Sequence, residues 1–199
     1  NPAPENRPSA LASKGIERYL LSVSDRHAHK NYIRLVQAYA DVCQRSIVPE
    51  HLVIIGRAKN LREEQRIEET IRAAGLQDRV HLLDYVDQPE LVRLYQGATA
   101  YAFPSTFETF GFTPLEAMAC GVPVACARYS AMPEVCGDAV EYFDPLDSAD
   151  IARALEKVLR DPDRRQELVQ RGIEHAKGFT WQSAAQKYHN LLVQLSQGA

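Results

Sequence analysis

The sequence has neither an excess of positive charge nor a long apolar run, and each absence excludes a class of protein. Its 199 residues include 23 Lys and Arg against 26 Asp and Glu, which gives a net charge of −3. A general nucleic-acid binder needs a basic excess to contact phosphates, so we expect no nucleic-acid partner. No run approaches the roughly 18–20 apolar residues of a membrane span, and no secretory signal is visible. The sequence therefore predicts no membrane-spanning segment, and we claim no direct membrane contact for this chain.

Cysteine is also scarce, because the chain has four cysteines and no Cys-x-x-Cys pair. Scattered thiols of this kind are typical of small, reduced core residues. They favour a cytoplasmic location, where thiols stay reduced. The four residues are Cys43, Cys120, Cys126 and Cys136.

The first ten residues contain three prolines and almost no apolar side chain. They predict a flexible linker or tail over residues 1–14, followed by one domain over residues 15–199. The chain begins at Asn1 without a methionine, so we expect it to be part of a longer protein. Apolar residues make up 45% of the sequence, which is enough for a buried core.

Short apolar runs alternate with amphipathic segments along the rest of the chain. Six runs predict strands, and the segments between them predict helices. This alternation predicts an α/β fold, a Rossmann-like α/β/α arrangement around a mostly parallel sheet. In such folds ligands bind at the carboxyl ends of the strands, so the loops that leave the strands are the places to look for chemistry. The predicted strands are residues 19–24, 51–55, 80–83, 100–103, 124–127 and 140–143.

The loop after the fourth strand is the most informative segment. Gly111 allows a close approach of the backbone to a ligand. Thr113 is predicted to cap the next helix, with Pro114 at its first helical position. The N–H groups at this helix start face the strand ends, which makes a site for a diphosphate.

Two carboxylates flank this helix start, Glu108 and Glu116. A carboxylate can accept hydrogen bonds from two hydroxyl groups of a sugar or a ribose. Amides that bind an anion, between two such acceptors, suggest a nucleotide-sugar pocket. Glu116 also completes a capping box with Thr113, which needs no ligand, and Glu108 alone is typical of a solvated loop. Both interpretations stay open on spacing alone.

The segment FPSTFETFGFTPLEAMACGVPVA, with its Glu-x7-Glu spacing, resembles glycosyltransferase family 4. The resemblance extends over residues 19–192 and includes HKN, LVIIG, LVRLYQGA, MPEVCGDAV and the closing FTWQSAA. It implies a retaining, nucleotide-sugar-dependent enzyme of the GT-B fold, in which two Rossmann-like domains close over a cleft. This chain resembles the C-terminal, donor-binding domain. Its implied partners are a nucleotide-sugar donor and the N-terminal, acceptor-binding domain of the same enzyme.

The resemblance also implies residue roles. Glu108 would contact hydroxyl groups of the donor sugar, and Lys30 would neutralise the diphosphate leaving group. These two are the expected catalytic residues. The expected donor-binding residues share the helix start, the ribose and the base-side loop, and they are Phe110, Gly111, Phe112, Thr113, Glu116, Tyr85 and Val86. Transfer in this family implies no bound metal and no further cofactor.

One departure from the family concerns the diphosphate. The family usually has Gly-Arg where this chain has Ser24-Asp25, and Asp25 would repel a diphosphate. Arg26 is predicted to replace the missing arginine as a donor-binding residue, and Arg57 is a second candidate. The nearby His27 and His29 could form a metal pair, but without a third ligand they are typical of solvated loop residues.

The sequence therefore predicts the donor-binding domain of an enzyme that transfers a hexose from a UDP- or GDP-sugar to an acceptor hydroxyl. A non-catalytic nucleotide-binding or scaffold module of the same fold is the alternative. A nucleotide-sugar 2-epimerase and a flavodoxin-like signalling domain fit less well. We also expect Trp181 to begin a core stripe of the last helix, and Glu134 to favour a short helix start.

Overall fold

The computed structural model describes Leu11 and residues 14–45 and 48–197. Six strands form one parallel sheet, so the predicted α/β fold is confirmed. Each predicted strand is present, with ends that agree within one residue. The strands are β1 (Tyr19–Val23), β2 (His51–Ile55), β3 (Val80–Leu83), β4 (Ala100–Phe103), β5 (Val124–Ala127) and β6 (Glu141–Phe143).

The strand order is β3-β2-β1-β4-β5-β6. From β1 the chain moves outward to β2 and β3, and then returns to the other side of β1 to form β4. The connections that leave β1 and β4 therefore diverge, which opens a crevice at the carboxyl ends of these two neighbouring strands. The loop with Lys30 follows β1, and the loop with Glu108 follows β4.

Helices cover both faces of the sheet and create two separate cores. The helices are α1 (Tyr32–Arg45), α2 (Leu61–Ala73), α3 (Gln88–Gly97), α4 (Phe112–Ala119), α5 (Met132–Cys136), α6 (Ser148–Arg160), α7 (Pro162–Ala176) and α8 (Trp181–Gln197). One face of the sheet packs Leu20, Ile54 and Ala102 against α1, α2 and α6. The other face packs Leu21 and Tyr101, with their neighbours, against α3, α4 and α5.

Several sequence signals for helix ends are confirmed. Asp87 caps α3 through a hydrogen bond from the Glu90 amide, and Thr180 accepts one from the Ser183 amide at the start of α8. All four cysteines are free thiols. None of the helices in the described ranges combines the length and hydropathy needed to cross a membrane.

The last helix differs from its prediction. Trp181 is 87% exposed, and Tyr188, Leu191, Leu192 and Leu195 on α8 are exposed as well. The predicted stripe exists, but its side chains are exposed, so no described element buries it. The prediction that Trp181 belongs to the core of this domain is wrong.

The predicted tail falls only in part within the described residues. Residues 1–10 and 12–13 lie outside them, whereas Leu11 is fully buried and packs in the same core as Ile16 and Tyr19. The amides of Lys14 and Ile16 both donate to the Leu11 carbonyl. Leu11 therefore belongs to the packed part of the chain, although the prediction assigned it to the tail.

The loops that follow β1 and β2 continue the pairing of these strands. The Arg26 amide donates to the Arg57 carbonyl over 2.8 Å, and Arg26 pairs with Ala58 in a parallel bridge. Between them Gly56 has a φ of +150°, and a Cβ atom there would lie 2.0 Å from the Ser24 carbonyl oxygen. Only glycine permits this close approach of the two loops.

We expect Gly56→Ala to lower the free energy of unfolding by roughly 2 kcal/mol or more, because a backbone clash adds to the strained φ. Urea denaturation of the chain measures this loss. Gly75→Ala is the matched control, since Gly75 has a φ of +68° but open space around its Cβ position. Its loss should be about 1 kcal/mol. Equal losses in the two variants would contradict the role given to the close approach.

Candidate functional site

A short 3-10 turn, Ala28–Lys30, follows β1 and ends at Asn31 in the left-handed region, with a φ of 61°. The buried Asn31 amide donates to the Pro104 carbonyl over 3.1 Å and to the Pro145 carbonyl over 2.8 Å. Since Pro104 follows β4 and Pro145 follows β6, one side chain joins three loops at the carboxyl edge of the sheet.

A second set of hydrogen bonds joins the same loops. The His29 carbonyl accepts from the Thr106 amide over 2.8 Å, and also from the Thr106 and Ser105 hydroxyl groups. Three donors from the β4 loop thus meet one carbonyl of the β1 loop. Lys30, the next residue after His29, and Glu108, two residues after Thr106, lie opposite each other.

Lys30 and Glu108, the two predicted catalytic residues, form an ion pair. The Lys30 Nζ lies 2.5 Å from the Glu108 Oε1, although the residues are 78 positions apart. Their side chains are only 15% and 14% exposed, so solvent screens the pair less than a surface pair. The ammonium group also lies 5.8 Å from the centre of the Phe103 ring. The structure therefore holds a cation and a carboxylate together in the crevice.

The main chain beyond Glu108 is held as well. The Ser130 hydroxyl donates to the Glu108 carbonyl over 2.7 Å and accepts a longer hydrogen bond from the Glu108 amide. Residue 130 comes after β5, so a third loop fixes the direction of the Glu108 side chain. Ser130 itself has a φ of 53°, which is uncommon outside glycine.

The start of α4 lies beside this pair and differs from its prediction. The N-cap is Gly111, with a φ of 86°, and the helix already begins at Phe112. The φ of Gly111 favours glycine, and a Cβ atom there would lie 2.3 Å from Cε at the flexible end of the Met132 side chain, which would have to shift. Thr113 is therefore not the cap, and Pro114 is the third helical residue.

A glycine N-cap has consequences for ligand binding. It has no side chain to accept from the first amides of α4, so Phe112 and Thr113 receive no side-chain cap. These amides and the positive end of the helix dipole lie at the carboxyl edge of the sheet. An anion placed there would meet the donors that a serine or aspartate cap would occupy.

Glu116 has a different partner from the one that a capping box requires. The Tyr95 hydroxyl donates to the Glu116 Oε2 over 3.0 Å. Burial and the neighbouring Tyr101 and Glu116 raise the pKa of Tyr95 far above its usual value, so its hydroxyl remains a donor. Because Gly111 is the N-cap, the capping-box interpretation of Glu116 is removed. Tyr95 instead orients the carboxylate.

Arg26 does not have the placement that a diphosphate contact needs. It is only 3% exposed. Its guanidinium donates to Glu64 over 2.6 Å, to the Leu83 carbonyl over 3.0 Å and to Asp84 over 3.2 Å, and also to the Gly56 carbonyl. The prediction that it replaces the missing arginine at the diphosphate does not fit these internal contacts.

The charge of Asp25 is compensated by residues of the loop after β2. It accepts from the Arg57 amide over 2.9 Å, and its other oxygen lies 3.3 Å from the Lys59 Nζ. Burial opposes ionisation, but the amide hydrogen bond and the Lys59 charge hold the pKa of Asp25 below its usual value. The repulsion expected between Asp25 and a diphosphate is therefore reduced by Lys59.

The base-side loop presents an exposed aromatic ring. Tyr85 is 68% exposed, and the Arg57 guanidinium lies 5.0 Å from the centre of its ring. Val86, which follows, packs partly against the core of α3 and α4. The structure thus brings Arg57, the second candidate for diphosphate binding, to the loop that the resemblance assigns to the base.

His27 and His29 stack on each other with their ring centres 5.5 Å apart. Burial, and then the charge of Lys30, lower the pKa of His29, which keeps this ring neutral near pH 7. Within residues 14–45, 48–197 and Leu11, no group of three or more His, Cys, Asp or Glu side chains could hold a metal ion.

An apolar groove of about 850 Å³ lies between the start of α4 and the connection from α7 to α8. Phe110, Phe112, Phe179 and Trp181 line it, and Glu116 lies at its wall. The rings of Phe110 and Phe112 are 4.7 Å apart. Two of the predicted donor-binding residues, Phe110 and Phe112, thus line this groove.

Sequence reasoning missed several residues that shape the site, notably Asn31, Tyr95 and Ser130. Asn31 lies in the HKN segment, and its place next to Lys30 is the sequence signal for a role in the site. Nothing in the sequence relates Tyr95 to Glu116 or Ser130 to Glu108, because each pair meets only through packing of the helices and loops.

Comparison with known proteins identifies related chains. The family model described as "Glycosyl transferases group 1" matches residues 5–175. O-antigen chain mannosyltransferase B of Escherichia coli is 32% identical over 165 residues, which cover 83% of this chain and 43% of that protein. The chain spans less than half the length of the curated relatives it matches.

Solved structures share the same architecture. HepE of Anabaena in complex with UDP has a TM-score of 0.80 at 21% identity, covering 92% of this chain and 51% of that one. The C-terminal domain of a group 1 family glycosyl transferase of Francisella tularensis has a TM-score of 0.74 at 24% identity, covering 87% and 92%. The fold of the chain is thus one half of a GT-B fold.

We expect Asn31→Gly to lower the free energy of unfolding by about 2–4 kcal/mol, since two buried carbonyl groups lose their donor. Glycine accepts the left-handed backbone of this position, so the loss isolates the amide hydrogen bonds. Chemical denaturation gives the value. The control is Asn190→Ala, because Asn190 is exposed on α8 and alanine keeps the helix. Wild-type stability of Asn31→Gly would show that the loops are joined by other contacts.

Proposed function

The chain belongs to the group 1 glycosyltransferases, and on that premise we propose that it is the C-terminal, donor-binding domain of a retaining enzyme. In this proposal the whole enzyme transfers a hexose from a UDP- or GDP-sugar to an acceptor hydroxyl. The observation that carries the proposal is the Lys30–Glu108 ion pair beside the helix start at Gly111. It places a cation, uncapped amides and a hydroxyl acceptor in one crevice.

The diphosphate of the donor fits the start of α4. The Phe112 and Thr113 amides and the dipole of the helix would bind its oxygens, and Lys30 would turn from Glu108 to the same group. As the bond from the sugar to the phosphate oxygen breaks, negative charge grows on that oxygen. A fixed cation and fixed amides stabilise this charge more than the ground state, which lowers the barrier.

The sugar and the ribose fit the two carboxylates. Released from Lys30, Glu108 would accept from hydroxyl groups of the sugar, while Glu116, oriented by Tyr95, would accept from the ribose. The acceptor hydroxyl would then attack on the face that the diphosphate leaves, through an oxocarbenium-like state. We assign no protein nucleophile to this step and no metal ion.

The comparisons support a nucleotide-sugar donor without selecting the base. One relative is named as a mannosyltransferase, and the HepE structure is a complex with UDP. The free thiols of all four cysteines support the proposed cytoplasmic location.

The acceptor half of the enzyme is proposed to cover α8. This helix exposes Trp181, Tyr188 and Leu192 along one stripe, and such a stripe favours a partner surface. The wall of the apolar groove includes Trp181, so the same partner would also cover this groove. The proposed partner is the N-terminal domain of the same enzyme, which agrees with the longer chains of the relatives.

The alternative, a non-catalytic nucleotide-binding or scaffold module, depends on Asp25. Because Lys59 pairs with Asp25, this residue no longer argues for a lost site. Calorimetric titration with UDP, GDP, UDP-glucose, UDP-N-acetylglucosamine and GDP-mannose, with and without Mg²⁺, separates the two functions. Saturable binding of one series that does not depend on Mg²⁺ supports the donor domain. Absence of binding to the chain, even when joined to an N-terminal half, would support the scaffold.

We expect Lys30→Ala to weaken UDP or GDP binding by about tenfold or more, because a charge-assisted contact contributes roughly 1.5–3 kcal/mol. Binding of the corresponding nucleoside should change much less, since it has no diphosphate. Lys157→Ala is a control that removes a lysine from α6. Equal losses for nucleoside and nucleoside diphosphate would contradict the role of Lys30.

We expect Glu116→Ala to weaken nucleotide binding by roughly 1–3 kcal/mol, through loss of hydrogen bonds from the ribose. Because the buried Tyr95 hydroxyl loses its acceptor, the free energy of unfolding should also fall by roughly 1–3 kcal/mol. Glu68→Ala, on the exposed face of α2, is the control. Unchanged affinity together with a large loss of stability would leave Glu116 a purely structural role.

A further inference from the structure

The buried guanidinium of Arg26 lies beneath three loops at the carboxyl edge of β1, β2 and β3. It donates to the carbonyl groups of Gly56 and Leu83, which follow or end β2 and β3. The Leu83 carbonyl also accepts from the Gly56 amide over 3.0 Å, so Arg26 gives this carbonyl a second donor and gives the Gly56 carbonyl one. Arg26 supplies both from one planar group, which a lysine could not do with the same geometry.

Two carboxylates complete the surroundings of Arg26. Glu64 reaches it from α2 over 2.6 Å with its side chain 16% exposed, and Asp84 reaches it over 3.2 Å from the exposed end of β3. The charge is thus compensated, and the guanidinium joins α2 to the two loops. These four hydrogen bonds direct the guanidinium to protein groups, so this side chain acts through its neighbours.

The neighbours in question are Arg57 and Tyr85. Gly56 immediately precedes Arg57, and Asp84 immediately precedes Tyr85, so Arg26 holds the residue before each of them. The main chain of Arg57 is held further, since its carbonyl accepts from the Arg26 amide and its amide donates to Asp25. Residues 25 and 26 therefore fix both members of the exposed Arg57–Tyr85 stack.

Resting on the proposed function, we propose that Arg26 is a positioning residue for the nucleobase of the donor. It holds Arg57 and Tyr85 as a stacking platform at the end of the crevice that lies away from Lys30 and Glu108. The positive charge buried at position 26 thus serves the base end of the donor site.

The chemistry of the platform fits a base. An exposed aromatic ring beside a guanidinium offers flat surfaces that stack on any nucleobase, and the cation strengthens the contact. Stacking uses the face of the base and is tolerant of its identity, so the platform accepts uracil and guanine alike. Arg26 should therefore affect ligands that carry a base and leave a bare diphosphate unaffected.

Titration of the 199-residue chain with UDP, GDP and inorganic pyrophosphate tests this selectivity. We expect Arg26→Lys to weaken UDP and GDP by about tenfold, while pyrophosphate affinity stays within about twofold. Lys30→Ala should instead weaken pyrophosphate, UDP and GDP alike, because all three carry the diphosphate. Arg66→Lys is the matched control, because Arg66 pairs with Glu63 on the outer face of α2.

Variants at the surface keep the test valid if Arg26→Lys does not fold. Tyr85→Ala and Arg57→Ala remove exposed side chains and should reproduce the base-selective loss at unchanged melting temperature. Glu64→Gln keeps the volume of the side chain but loosens Arg26 from α2, and it should show a smaller loss of the same kind.

Two results would overturn the proposal. Equal losses of nucleotide and pyrophosphate affinity in Arg26→Lys or Glu64→Gln would leave Arg26 a general structural role. Unchanged nucleotide affinity in Tyr85→Ala would remove the platform. Failure of the proposed function has another signature, since the wild-type chain would then bind none of the nucleotides.

Discussion

The site depends on the hydrogen bonds between the loop after β1 and the loop after β4. Parallel strands bring the ends of β1 and β4 together, but their connections diverge, so sheet pairing alone does not fix the side chains beyond the strand ends. Asn31 and the His29 carbonyl make that connection. The ion pair of Lys30 and Glu108 is a consequence, because Lys30 lies between His29 and Asn31 and Glu108 lies two residues after Thr106.

A second set of contacts organises the loops after β1, β2 and β3. Here two adjacent charged side chains, Asp25 and Arg26, make the contacts. Asp25 binds Lys59 and the Arg57 amide, and Arg26 binds the ends of β2 and β3. Two neighbouring residues of opposite charge thus bind internal partners, and in the proposed function Lys30 and the helix start bind the diphosphate.

The exposed surfaces of the domain differ in a manner that fits one half of a larger enzyme. Both faces of the sheet are covered and the two cores are complete, yet α8 and the groove beside Phe110 leave aromatic side chains in solvent. A stripe at helical spacing predicts burial but not the element that provides it. Trp181 shows this limit, since its helical spacing predicts a core position but its side chain is 87% exposed.

The sequence by itself determined the strands and the α/β class, because these follow from local periodicity. It also placed Lys30 in the loop after β1 and Glu108 in the loop after β4, at the carboxyl ends of the strands where the crevice lies. Tertiary structure alone decided the use of each polar side chain. Glu116 received Tyr95 instead of a capping box, and Arg26 turned inward instead of toward the crevice. The physical reason is that a polar group takes the partner that packing brings within about 3 Å, and sequence spacing does not encode contacts between distant elements.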